Sequence, residues 1–477
     1  MKRLLADENR KWLTLASVAF GLFMIMLDNT IVNVALPSIQ RDLSITISEL
    51  EWVVNGYALT FAVLMLTGGK LADMLGRRRI FIIGLAIFTC SSLACGLAAD
   101  ANMLIASRVV QGSGSALMNP ATLSIITATF PPRQRGTAIG IWAGVSAMAL
   151  AIGPLVGGVI TEQIGWNWIF FINVPIGLVG IAVARIVISE SRDTAREQRL
   201  DLPGLLSSGV ALFALTYGLI EANNYGWTSA RILALFAVAA IALTAFVVLE
   251  LRQRIPMLDL SLFRNSTFAG ANATMMLVAL AMFGVFFFVS LYMQNILGYS
   301  ATEAGATFLP MTLLIILIAP LAGRMSDRIG SRWLMGAGMT LVGCSLLLFS
   351  RLGLHSTFWN ILPGLIVGGI GMALAMTPTT AAAMGSVPVD TAGVGSAVLN
   401  SMRQVGGSLG IAIMGAIVAS YAHTSPGRPP APEDFVTGFQ HALEVAAGIA
   451  FIAALVAVLT VRRYRHAERG ELAEVGA

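Results

Sequence analysis

Charge is scarce in this sequence. Asp, Glu, Lys and Arg make up 12% of its 477 residues, about half the share found in a soluble globular domain. A soluble core of this length needs a larger charged surface to cover it. The apolar 56% must therefore face something other than water. Cysteine is scarcer still: Cys90, Cys95 and Cys344 all fall in apolar runs, and an odd set so placed builds no disulfide framework. The four histidines, His355, His423, His441 and His466, lack ligand-like spacing, so no metal site is expected. No phosphate loop of the form GxxxxGKS or GxxxxGKT occurs, which removes the simplest ATP-driven pump and leaves no sign of an enzyme or a bound cofactor. A net charge of +5 does not signal nucleic acid either, because the basic residues are confined to short loops.

Long apolar sequence is abundant, with mean hydropathy +0.80. A membrane-spanning helix needs about 20 largely apolar residues. Fourteen runs fit, near 12–36, 52–69, 79–98, 103–127, 136–160, 168–188, 204–221, 230–249, 268–292, 304–322, 333–350, 360–382, 396–420 and 440–461. The first is too long for a signal-peptide core and has no clear small-x-small cleavage site before Pro37, so it reads as a retained helix. The expected fold is all-α: a polytopic membrane protein with 14 transmembrane helices. Basic residues test that count. With the N-terminus inside, loops holding Lys2, Arg10, Lys70, Arg77, Arg79, Arg135, Arg192, Arg264, Arg324 and Arg463 are cytoplasmic. Only Arg41, Arg231, Arg351 and Arg428 fall outside. This is the positive-inside bias, and it puts both termini in the cytoplasm. The inside loop 383–395 is the exception, having no Lys or Arg.

Two loops repeat. GKLADMLGRRR, from Gly69 to Arg79, and GRMSDRIGSR, from Gly323 to Arg332, share a spacing: Gly69, Asp73, Gly76 against Gly323, Asp327, Gly330. Each follows the second helix of a set of six once the seventh and eighth runs are set aside, the arrangement of parallel-repeat transporters. The predicted organisation is a six-helix bundle over 12–188, a loop with two accessory helices and a following loop over 189–267, a second bundle over 268–461, and a tail over 462–477. Glycines there allow a tight turn, and an aspartate can accept from helix-terminal N–H groups and pair with Arg77, Arg78 or Arg328. Such loops lock or release helices on the cytoplasmic side. For Arg77 to Arg79 the plainer reading, a charged turn obeying the inside bias, is sufficient.

With these repeated loops, the chain resembles the drug:proton antiporters of the major facilitator superfamily, in the subgroup with 14 transmembrane helices. The resemblance covers nearly the whole chain and is carried by GKLADMLGRR at 69–78, RVVQGSGSA at 108–116 and GPLVGG at 153–158. WNWIFFINVPIG at 166–177, LDNTIVNVALP at 27–37 and NSMRQVGGSLG at 400–410 complete it. One departure is Met74, where that loop often has a basic residue. The resemblance implies multidrug efflux across the cytoplasmic (inner) membrane, driven by the proton gradient with no cofactor, on lipophilic, cationic substrates. It assigns Arg108 to proton coupling. It marks Gly153, Pro154, Gly157 and Gly158 as the element of exporters that work by antiport. Generic small-residue packing explains the glycines of that element but explains the full GPxxGG cluster less well.

The polar residues inside apolar runs are the candidate site. Asp28 stands about 16 residues into the first run, about 24 Å along a helix axis, within a hydrocarbon core of roughly 30 Å. Aspartate is too short to snorkel, so it needs a proton, a partner or a wet cavity. Moved between such surroundings it would load and release a proton, with Arg108 modulating it, and it would also contact a cationic substrate. The plainer alternative is a fixed hydrogen-bond anchor with Asn29, Thr30 and Asn33. Arg108 itself either faces a cavity or snorkels outward. Arg403 has the same two options, and Glu303 is a second candidate carboxylate at a cavity in the C-terminal half. The expected partners are small lipophilic or cationic substrates, protons and membrane lipids, and the sequence gives no sign of a periplasmic adaptor. Two other readings stand beside efflux: a narrow-specificity proton-coupled metabolite, antibiotic or siderophore transporter, and a non-transporting membrane scaffold.

Overall fold

The computed structural model describes residues 7–192, 200–253, 256, 258–387, 392–421 and 431–462. Among the described residues the regular structure is all helical. The chain runs through α1 (Asp7–Leu43), α2 (Ile47–Leu75), α3 (Arg77–Gly96), α4 (Ala101–Thr129), α5 (Pro132–Gln163), α6 (Trp168–Phe171), α7 (Asn173–Val187) and α8 (Leu202–Tyr225). It continues through α9 (Ala230–Arg252), α10 (Ser266–Asn295), α11 (Ala301–Thr307), α12 (Leu309–Ile329), α13 (Ser331–Phe349), α14 (Phe358–Gly385), α15 (Ala392–Tyr421) and α16 (Pro432–Thr460). Two expected rods are broken, and proline is the reason. Pro175 cannot donate to the Phe171 carbonyl and Pro310 cannot donate to that of Ala306, so α6 and α11 end as short pieces before α7 and α12.

Twelve helices among the described residues are long and apolar enough to cross a membrane, counting α6 with α7 and α11 with α12 as one each. This differs from the fourteen expected, and α4 and α5 make the difference. They are 29 and 32 residues long, so length is not what sets them apart. Polar residues dilute α4: Arg108, Gln111, Asn119 and Thr122 are buried along it. In α5, several side chains lie outside the described residues.

Short turns make consecutive helices antiparallel, so the molecule has two ends. The proximal end holds the start of α1 and the turns at Gly76 and Gly330; the distal end holds the turns after α1, α5 and α10. α1 to α7 pack together around Phe81, Phe88 and Phe170, and α10 to α16 around Phe287, Tyr292 and Phe349. α8 lies along both α2 and α15, with Trp52 against Phe213 and Tyr217 and with Asn223 donating to the Ala416 carbonyl. α9 packs on α8 and turns Leu233, Ile241 and Leu251 outward. Exposed leucine and isoleucine in such number suit lipid, not water.

The repeat read from the loops extends into three dimensions. Gly76 (φ 116°) and Gly330 (φ 89°) each end one helix and start the next in a conformation that suits only glycine. Downstream, Gly84 lies against the Gly114 carbonyl, and Gly338 lies against that of Gly371, so α3 crosses α4 as α13 crosses α14. At the first turn Glu190 folds back and accepts from the backbone N–H groups of Arg78 and Arg79, 3.1 and 3.2 Å away. A carboxylate on a helix N-terminus satisfies orphan donors and the helix dipole together. Gly76→Ala therefore suffers twice, from positive φ and from a Cβ driven into the Glu190 carboxylate. It should cost about 1–3 kcal/mol. Gly226→Ala, also at positive φ but with open space around it, should cost less. Thermal unfolding of the purified variants in one detergent tests the ranking.

Candidate functional site

Asp28 sits in the middle of α1 and faces α2 and α4. Arg108 and Gln111 stand three apart on α4 and so present one face. That face meets the carboxylate. Arg108 Nη1 lies 2.6 Å from Asp28 Oδ2 and 2.7 Å from Gln111 Oε1, and Gln111 Nε2 donates to Asp28 Oδ1 at 3.0 Å. Arg108 Nε donates to the Val53 carbonyl of α2 at 3.1 Å. The guanidinium also rests over the Tyr57 ring, 4.2 Å from its centroid, while Tyr57 shares a 2.7 Å hydrogen bond with Ser115. Both charged residues are 1% exposed. Arg108 is thus turned into the bundle and does not snorkel to a surface.

Each charge in this cluster has a partner. A buried pair repays its desolvation only when the remaining lone pairs and protons are also satisfied, and here Gln111, Val53 and the Tyr57 ring do that. The sequence reading gave no site role to Gln111, Val53 or Tyr57. Gln111 had a signal, its place three residues after Arg108 in RVVQG. Asn29, Thr30 and Asn33 are only half-buried and donate to carbonyls of their own helix, at Ile25, Leu27 and Asn29. Of the three, Asn29 also reaches the Tyr57 hydroxyl, at the edge of the cluster.

The GPLVGG element lies between the two halves, at the distal end. Gly153 and Gly157 let α5 close on Thr30 and Ile31 of α1. One step round the helix, Gly158 lies on the Ala301 carbonyl of α11, and Gly305 of α11 lies on the Pro154 carbonyl. Glu162 Oε2 accepts from the Thr302 N–H at 3.0 Å, and Gln294 Nε2 donates to the Val34 carbonyl at 2.9 Å. Backbone meets backbone here, so the distal end is closed. Toward the proximal end, a Cβ added at Gly140 or Gly144 would meet nothing within 4 Å among the described residues outside its own helix backbone. A cavity of about 470 Å³ opens there between α1 and α5, lined by Trp12, Phe20, Phe23, Ile141 and Met148.

The remaining expected residues are scattered. Asp73 at the end of α2 pairs with Arg77 at the start of α3, 2.9 Å away across the Gly76 turn. In the second loop Gly323 and Gly330 match Gly69 and Gly76, Arg328 is exposed, and the Asp327 side chain lies outside the described residues. Glu303 is exposed and closes a capping box with Ser300 at the start of α11, away from the Asp28 cluster. That is a correction: its carboxylate caps a helix and does not line a central cavity. Arg403 reaches from α15 toward α1, with Nη2 4.0 Å from Met26 Sδ and Nε buried without an acceptor among the described residues. Glu51, absent from the sequence reading, is 3% exposed on α2 at the distal end and packs on Gly415 of α15. Among the described residues, no three of His, Cys, Asp and Glu gather as metal ligands do.

The family profile described as Major Facilitator Superfamily matches residues 18–411 and again 271–476. The tetracenomycin C resistance and export protein of Streptomyces glaucescens is 37% identical over 413 residues, covering 87% of this chain and 77% of that protein. The multidrug resistance protein Stp of Mycobacterium tuberculosis is 38% identical over 412 residues, 86% of this chain and 76% of its own. The puromycin resistance protein of Streptomyces alboniger is 34% identical over 460 residues, covering 94% and 91%. Among solved structures, a bacterial homologue of the human lysosomal transporter Spinster, inward-facing and unoccupied, superposes with a TM-score of 0.69. It is 18% identical, over 97% of this chain and 100% of that one, a likeness of fold alone.

Proposed function

Given that this chain belongs to the Major Facilitator Superfamily, and so is a multi-pass membrane transporter, we propose that it expels lipophilic drugs or antibiotics in exchange for protons. Lipophilic cations are the first candidates. The relatives named for resistance to tetracenomycin C and puromycin and for multidrug resistance support efflux. We take α4 and α5 as the two further crossings, giving fourteen, with two six-helix bundles, both termini cytoplasmic and the cytoplasmic membrane as the site. The proximal end is then the cytoplasmic side.

The observation that carries proton coupling is the Asp28 carboxylate, sealed from solvent with Arg108 and Gln111 as its partners. A proton arriving on Asp28 competes with Arg108 for the same oxygen. The displaced guanidinium keeps Val53, Gln111 and the Tyr57 ring as neighbours but loses its counter-ion, a cost that favours giving the proton up again. Substrate would enter from the cytoplasm or inner leaflet by way of the apolar cleft between α1 and α5, and the halves would rock about the centre. No cofactor is needed; the proton gradient supplies the work.

The test is reconstitution into proteoliposomes with an imposed pH gradient and a panel of tetraphenylphosphonium, puromycin and tetracenomycin C. At least one should evoke proton movement opposite to its own. A chain that moves none of them, nor protons in their presence, is not this exporter. Arg403 favours a second reading, a narrow-specificity transporter of acidic metabolites, because its cation faces the other half with Nε unmet. Adding a lipophilic carboxylate to the panel separates the two.

A further inference from the structure

Asp28 and its partners lie wholly within the first seven helices, so a rigid rocking of the halves leaves their contacts intact. Glu51 is placed differently. It sits one turn into α2 at the distal end, 3% exposed, with its carboxylate against the Gly415 backbone of α15. Oε2 is buried with no hydrogen-bond partner among the described residues.

The surroundings are polar in composition but unsatisfied. Asn55, one turn further along α2, is fully buried with neither Oδ1 nor Nδ2 bonded. Across the seam, Gln404 Oε1 and Ser408 Oγ of α15 are buried and unbonded as well. The register is fixed at both ends: Glu51 meets Gly415, and Ser401 Oγ donates to the Ala62 carbonyl at 3.4 Å. Helical spacing puts Gln404 and Ser408 on the α15 face that carries Ser401 and Gly415, and puts Glu51, Asn55 and Ala62 on one face of α2. Buried polar atoms are nearly always paired in native proteins. A row of exceptions along the joint between two moving halves calls for an explanation beyond packing.

Among the described residues, the charges around Glu51 offer it no cation. Glu221 of α8 is the charged neighbour close enough to act on it. From α8, Tyr217 instead covers Trp52, and its hydroxyl is taken by Arg231 of α9 at 2.8 Å. The distal half of α15, from Gln404 to Ser420, has no Asp, Glu, Lys or Arg. Arg108 approaches α2 on the opposite face, at Val53. On α2 itself Glu49 is engaged in the capping box with Thr46. A carboxylate in that position, stripped of water and given no donor, persists only by taking up a proton.

We propose that Glu51 is a second proton-binding site of the transport cycle, occupied whenever the α2–α15 seam is closed at the outer face. Opening the seam wets the carboxyl group, which gives its proton to water and becomes a carboxylate; closing it again requires a proton from outside. External proton concentration thereby drives the return from outward-open to inward-open. This rests on the antiport reading and adds to it the step at which outside protons act.

The test needs no substrate. Spin labels at Arg41→Cys and Ser420→Cys report the distance between the halves at the outer end. With Cys90, Cys95 and Cys344 replaced by Ser and Glu51 retained, raising the pH should populate a longer distance, and an infrared difference spectrum should show loss of a protonated-carboxyl band. Glu51→Gln should keep the short distance at every pH and lack that band, while the chain stays monodisperse. Should Glu51→Gln fail to fold, Glu51→Asp takes its place and should retain the titration at a shifted pH. Equal pH dependence in wild type and Glu51→Gln overturns the proposal, as does a carboxyl band that the substitution leaves untouched. A wild-type chain that passes this test but moves no drug would defeat the exporter reading alone.

Discussion

Asp28→Asn should leave a folded, inserted protein whose drug-evoked proton flux falls to the level of empty liposomes. The amide oxygen still accepts from Arg108 or Gln111, so the geometry survives, but the side chain can neither bind nor release a proton. The Arg108 charge loses its counter-ion, and removing one member of a buried pair costs about 3–5 kcal/mol when nothing replaces it. The retained acceptor should hold the loss below that range. Asp28→Asn combined with Arg108→Gln should regain stability, since no charge is then buried unpaired, yet it should not regain coupling. This separates a coupling role from a merely structural one. A structural anchor predicts that stability and transport recover together. Thermal unfolding and proton flux, read on the same preparations, decide it. Retained flux with an unchanged pH profile in Asp28→Asn would remove Asp28 from the mechanism.

What was legible in the sequence depended on contrast. Asp28 and Arg108 stand out because each interrupts an apolar run, and a charge there is expensive enough to demand a reason. The loop repeat was legible because Gly76 and Gly330 need a backbone conformation that few other residues tolerate. The cage around the pair was not. Val53 contributes a carbonyl, which any residue has, and Tyr57 contributes a ring face at a position where aromatic residues are expected anyway. Glu51 was hidden by its place at the edge of a run, where a carboxylate reads as part of a loop. Its burial comes from Gly415, far along the chain. Glu303 misled for a related reason: at a run end the S-x-x-E spacing of a capping box explains a carboxylate as well as a cavity does. The run of α4 was legible by length, although the buried polar residues that make it interesting dilute its hydropathy below that of the twelve more apolar helices.

Gly158→Val should disable the transporter without touching a charged group. α5 and α11 meet backbone to backbone at this point: a Cβ on Gly158 enters the Ala301 carbonyl, and one on Gly305 enters the carbonyl of Pro154. Neither neighbour is a flexible side chain that can swing away. Overpacking of this kind costs typically about 1–3 kcal/mol. The cost falls on the conformation in which the halves touch at the outer end, not on the fold of either bundle, because α5 and α11 belong to different halves. Since about 1.4 kcal/mol is a tenfold change in an equilibrium, the closed-to-open ratio at the outer face should drop by roughly 5- to 150-fold. Labelling of Thr302→Cys by a membrane-impermeant thiol reagent should accelerate accordingly, and transport should fail because the outward-open state accumulates. Gly305→Val should behave alike, having the reciprocal contact. Gly140→Val, on the same helix but where an added Cβ meets no neighbour within 4 Å among the described residues, should leave both readouts near wild type. Such a contrast within α5 would assign the GPLVGG cluster to closing the outer face. Equal effects at Gly158 and Gly140 would instead return the cluster to generic helix packing.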